Sequence, residues 1–244
     1  MQLEPWQWLL GALGAFLVGI AKTGIPGLGI LSVAIFGLAF PTRDSVGLVL
    51  IMLICADIVA VSAYRHDASW PHLWRLFPWA VAGIIVGYLA LGRVNEVQMR
   101  RLLGAILLGL SLLQLLRARR PAAPANEPHW LFAPLTGVTG GFTTMVANAA
   151  GPVMVIYLLA MRLPKLSFVG TSAWFFFLLN LFKVPFSASL GLINPSTLGI
   201  SLALGLVAMA GAGFGRPLVE RLNQRVFELT ALGLTFVAAL LMVR

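Results

Sequence analysis

The sequence holds a single cysteine, Cys55, so no disulfide can form within the chain. Its place inside an apolar run says nothing about redox compartment. Charge is equally scarce: Asp, Glu, Lys and Arg make up 10% of the 244 residues, where a soluble domain carries about 25%. Acidic residues are the rarer sign, 8 against 17 basic. No Gly-x-Ser-x-Gly, His-Glu-x-x-His, Walker A sequence or cysteine cluster occurs, so the chain has no enzyme constellation and no cofactor motif. Without a nucleotide site, any pumping must draw on an ion gradient or a separate partner. His66, His72 and His129 show no paired metal spacing.

What is present is apolar sequence. The hydrophobic set reaches 59% and the mean hydropathy is +0.93, so most of the surface must face lipid. The net charge of +9 would suggest nucleic acid in a soluble protein. Here the basic residues sit mainly at the ends of apolar runs, where they anchor helices and set orientation, and nucleic acid is set aside. Trp6, Trp8, Trp70, Trp74, Trp79 and Trp130 fall at segment ends, as interface anchors do. The N-terminus lacks a basic region and a small-residue cleavage site, so the first apolar run is expected to be retained.

A helical span needs roughly 20 apolar residues. Runs at 45–63, 76–92, 102–116, 167–190, 197–214 and 226–243 reach or approach that length. Two further pairs, 6–21 with 30–40 and 130–146 with 152–161, are each split by a short Gly-rich or polar interruption. Because the runs are continuous rather than alternating, a β-barrel is excluded and the fold class is all-α, a polytopic membrane protein.

Shifting the sequence by 123 or 124 residues superposes landmarks in order. Pro41 falls on Pro164, Gly47 on Gly170, Asp57 on Asn180, Pro71 on Pro195 and Arg93 on Arg216. The chain therefore reads as two tandem repeats of about four membrane segments, 1–116 and 129–244. The Pro/Ala-rich linker 117–128 joins them. Inverted halves place Arg65, Arg75, Arg117, Arg119, Arg120, Arg162, Lys165, Arg216, Arg221 and Arg225 on one side. Arg43, Arg93, Arg100, Arg101 and Arg244 then fall on the other, ten against five; parallel halves give nine against six. The positive-inside rule favours inversion.

The interruptions carry the chemistry. The first is Gly19 to Gly29, with Lys22, Thr23, Gly24 and Gly27; the second is Gly137 to Pro152, with Thr144, Asn148 and Gly151. Irregular backbone at membrane depth survives only where protein buries it or water reaches it. Matched breaks in duplicated halves point to a transporter's binding site. A helix restarting after such a break offers free N–H groups and a positive dipole end, which hold an anion; Pro152 suits that first turn. The competing reading is close glycine packing between helices.

Ionisable residues inside apolar runs are costly and mark function by default. Asp57 lies near mid-bilayer, opposite a neutral repeat mate, Asn180. It is a candidate proton or gating carboxylate, or a structural partner of Lys22. Lys22 and Lys183 either line the site or snorkel to the interface, with Pro185 bringing the helix end near Lys183. Tyr157, Ser172 and Ser187 line a pathway or act as polar glue between helices.

With Gly24-Ile-Pro-Gly-Leu-Gly-Ile30, the run Gly140-Gly-Phe-Thr-Thr-Met-Val-Ala-Asn-Ala-Ala-Gly-Pro152 and the following Tyr157-Leu-Leu, the sequence resembles the sulfite exporter TauE/SafE family over essentially its whole length. That resemblance implies a secondary transporter in the bacterial inner membrane. It would export a small anion, sulfite or a C2 organosulfonate such as sulfoacetate, coupled to a proton gradient. Thr23, Gly24, Gly27, Gly29, Thr144, Asn148, Gly151 and Asn180 would then cradle the oxyanion, Lys22 and Lys183 would raise the potential, and Asp57 would couple. A passive anion pathway and a non-transporting scaffold subunit are the alternatives, and a homodimer stays open. A cation carrier has the wrong sign, one carboxylate against two lysines.

Overall fold

A computed structural model describes residues 3–25, 28–29, 32, 35–36, 40, 42–91, 130–193 and 195–243. The apolar run 102–116, the linker 117–128 and Gly27 lie outside the described residues. Those described are helical throughout, with no strand: α1 (Pro5–Thr23), α2 (Thr42–Ala63), α3 (Trp70–Leu91), α4 (Phe132–Ala147), α5 (Gly151–Ala160), α6 (Lys165–Ser189), α7 (Pro195–Arg221) and α8 (Gln224–Val243). Among them, Val46–Ala63, Trp70–Leu91, Lys165–Ser189 and Thr197–Arg221 are long and apolar enough to cross a membrane. The anchor tryptophans stay exposed, Trp74 at 61% and Trp130 at 70%.

Both interrupted segments turn back on themselves. Gly24 breaks α1 after Thr23, and helical backbone resumes at Gly29, Ser32, Ile35 and Phe36. The Phe36 ring lies 2.9 Å from where a Gly14 Cβ would stand. The Phe40 ring lies 3.3 Å from that of Gly11. Later residues thus meet earlier ones, and the two arms are antiparallel. In the second segment the Phe132 ring stacks on Tyr157 with centroids 5.8 Å apart, and Gly140 faces Val153, so α5 returns along α4. Each break is the tip of a helical hairpin that enters the protein and comes back.

Glycine lets the hairpins seat against long helices. A Cβ on Gly19 of α1 would fall 2.5 Å from the Ala212 nitrogen of α7, and one on Gly83 of α3 would fall 2.8 Å from the Phe142 nitrogen of α4. With Gly11 against Leu204 before Gly19 against Ala212, α1 runs parallel to α7, and with Leu76 against Gly137 before Gly87 against Met145, α3 runs parallel to α4. The central pair is different. Gly47 of α2 packs on the Leu192 carbonyl beyond α6, Asp57 meets Asn180 midway, and Gly170 of α6 packs on Asp67 and Ala68 beyond α2. Helices α2 and α6 are therefore antiparallel. Proline does not end α6: it runs through Pro185 to Ser189, so Lys183 stays inside the protein and does not reach an interface. Pro78 and Pro217 are likewise carried within α3 and α7.

Candidate functional site

The second break is built around Asn148. It caps α4 in the left-handed region (φ 53°), donating its N–H to the Thr143 and Thr144 carbonyls. Asparagine tolerates that conformation better than other side-chain-bearing residues, and the turn uses carbonyls that the helix end leaves free. Three residues on, α5 begins with Gly151 and Pro152. Its first turn leaves amides without intrahelical acceptors, and Pro152 is placed where it has no such bond to lose.

The Asn148 side chain is gripped from two sides. Its Nδ2 donates to the Val46 carbonyl of α2 at 3.0 Å. Its Oδ1 accepts from Lys183 Nζ at 2.5 Å. The same ammonium donates to the Thr144 carbonyl at 2.9 Å and to its hydroxyl at 3.2 Å. Lys183 is fully buried. A cation at a helix C-terminus offsets the partial negative charge of the last carbonyls, so Lys183 masks the end of α4 that would repel an anion at the break.

The first break is held by different groups. Thr23 donates from Oγ1 to the Ala212 carbonyl at 2.6 Å, and the Tyr64 hydroxyl donates to the Thr23 carbonyl at 2.6 Å. Gly24 packs against Gly215. One residue earlier, Lys22 Nζ lies 2.7 Å from Asp57 Oδ1 and 4.4 Å above the centre of the Phe176 ring. Asn180 Nδ2 donates to the other Asp57 oxygen at 2.6 Å. Asp57 is thus partnered on both oxygens although it is fully buried.

Between the two tips lies a cavity of about 120 Å³. Lys22 and Gly29 come to it from the first hairpin, and Thr144, Asn148, Ala149, Gly151 and Pro152 from the second. Asn180 and Ser172 complete the polar side, while Val18, Phe36, Val49, Leu53, Val155 and Phe176 form the apolar side. Two polar atoms around it, Ser32 Oγ and Asn180 Oδ1, are buried with no hydrogen-bond partner among the described residues, a state that elsewhere costs about 1–3 kcal/mol.

Of the residues singled out from the sequence, Lys22, Gly29, Thr144, Asn148, Gly151, Pro152, Ser172 and Asn180 are in this wall. Asp57 and Lys183 stand directly behind it. Thr23 and Gly24 are turned away, tying the first hairpin to α7. Ser32, Phe36 and Phe176 were not singled out, although Ser32 is the polar residue one turn after Gly29, where a helix restart would put a donor. Ser187 is buried with no hydrogen-bond partner among the described residues and is not in the wall. Tyr157 packs against Phe132 and shares a hydrogen bond of 3.2 Å with His72.

A sequence model of the family described as Sulfite exporter TauE/SafE matches residues 10–242. The chain belongs to the sulfite exporter TauE/SafE family. No curated protein and no solved structure matches it. As a member of that family it is a multi-pass membrane transporter of sulfur-containing anions such as sulfite. A polar cavity between two hairpin tips in a TauE/SafE chain is the place for such an anion to be sought.

Proposed function

We propose that the protein is a secondary transporter that exports a small anion, sulfite or a C2 organosulfonate such as sulfoacetate, across the bacterial inner membrane, coupled to a proton gradient. The observation that carries this reading is the convergence of both helix breaks on one cavity, with Lys22 in its wall and the start of α5 facing it. Fixed amides and one ammonium attract an oxyanion without a bare cation in lipid. The apolar side suits the carbon chain of an organosulfonate. Asp57 is the candidate coupling group, since anion and carboxylate would compete for the same Lys22 Nζ.

Alternating access uses halves of opposite orientation. The repeat boundaries at 116 and 129 and the inversion of the halves are part of this proposal. It is supported by α2 and α6, which the 123-residue shift aligns and which run antiparallel through Asp57 and Asn180. Proteoliposomes with an imposed pH gradient test the function. Saturable uptake of sulfite or sulfoacetate that accumulates against its gradient is expected. Flux without accumulation would make the protein a passive pathway, and no saturable flux of any small anion would end the transport reading. A scaffold subunit would show stability changes but no flux change on Asn148→Ala.

A further inference from the structure

Among the described residues, Asp57 and Lys183 are the only fully buried charged side chains, and Lys22 is the only charged residue in the cavity wall. Lys22 and Asp57 form one ion pair. Among the described residues Lys183 contacts no carboxylate; its partners are the Thr144 carbonyl, the Thr144 hydroxyl and the Asn148 side-chain oxygen. These three oxygens can accept all three protons of a Lys183 ammonium. Two positive charges and one negative leave a surplus of one. A surplus charge at this depth is expensive unless something compensates it, and the open space beside Thr144 and Asn148 is the cavity.

The unpartnered Asn180 Oδ1 adds a second, independent constraint. Its amide nitrogen is committed to Asp57, so the oxygen is fixed as an acceptor, with no donor among the described residues. An acceptor in an anion site matches a ligand that carries a proton to donate. We infer that the site takes a singly charged anion bearing a hydroxyl, so that bound ligand brings the buried charge to zero and donates to Asn180. This rests on the transport reading and narrows it: hydrogensulfite or a singly charged hydroxyalkanesulfonate, rather than the sulfite dianion or sulfoacetate.

The test compares two probes of equal carbon number on the purified full-length protein, 2-hydroxyethanesulfonate with one charge and sulfoacetate with two. Binding is measured by calorimetry at neutral pH. The singly charged probe is expected to bind at least about tenfold more tightly, a lower bound on the effect of one unmatched buried charge. Asp57→Asn raises the surplus to two and is expected to shift the ratio about tenfold toward sulfoacetate. The Lys22→Gln/Asp57→Asn double variant restores a surplus of one and should restore the wild-type ratio. The ratio is insensitive to partial loss of folded protein, and the wild-type comparison stands even if a variant fails to fold. Equal or tighter binding of sulfoacetate to wild type overturns the inference while leaving transport intact. Failure of both probes and of sulfite to bind removes the transport reading itself.

Discussion

Lys183→Met is expected to abolish transport while leaving the protein folded. The stability effects nearly oppose one another. The Thr144 carbonyl keeps a second donor, the Asn148 N–H at 3.1 Å, so the main loss is the partner of Asn148 Oδ1, about 1–3 kcal/mol. Against it, an ammonium no longer has to be buried, and replacing buried charge with apolar volume is often neutral or better. Methionine fills much the same space. The site has no such offset. Two unit charges about 6 Å apart at an effective dielectric of about 20 interact by about 2.8 kcal/mol, about a hundredfold in affinity, and a cation just behind the cavity wall acts on that order. The negative end of α4 is unmasked at the same time, and Asn148 is held by Val46 alone. Size-exclusion profile and thermal midpoint should stay near wild type while flux falls about a hundredfold or more. Wild-type flux in a folded Lys183→Met protein would show that the charge has no part in the site.

The second large effect is a contrast between two identical substitutions. Gly141→Ala should prevent accumulation of folded protein, whereas Gly213→Ala should be tolerated. A Cβ at Gly141 would stand 2.9 Å from the Ile84 nitrogen and closer still to the Ala80 carbonyl. Both are helix backbone, which cannot move alone. Gly83 presses on Val138 and Phe142 from the other side, so α3 and α4 would have to separate over two turns. Overpacking of this kind costs about 1–3 kcal/mol and sometimes more. It also displaces Asn148, since that residue caps α4. Gly213 is exposed on α7 with nothing within 4 Å of a Cβ, and alanine gains about 1 kcal/mol over glycine in a helix interior. Yield of monodisperse protein after membrane extraction separates the two; equal yields would refute the close α3–α4 packing.

The pair of breaks was legible because glycine, proline and asparagine mark where a helix cannot continue whatever surrounds it. Apolar composition likewise marked the long spans. Whether a broken segment crosses the membrane or returns was not legible. That depends on contacts such as Phe36 against Gly14, between residues whose types fit either path. Lys183 was readable as costly but not as a clamp: Pro185 suggested a helix end, and the helix instead continues to Ser189. Asp57 and Asn180 were aligned by the sequence shift alone, and they meet at 2.6 Å. Ser32 escaped notice because one serine in an apolar run carries no signal until the break before it is known to face a cavity.

The central claim, that two hairpin tips share one anion, is tested most directly by a structure determined with sulfite present. The account predicts density for the anion between Lys22 and the first turn of α5, within hydrogen-bonding reach of Asn180, with Lys183 still bound to Thr144 and Asn148. An anion bound elsewhere, or touching residues of one hairpin only, would contradict it.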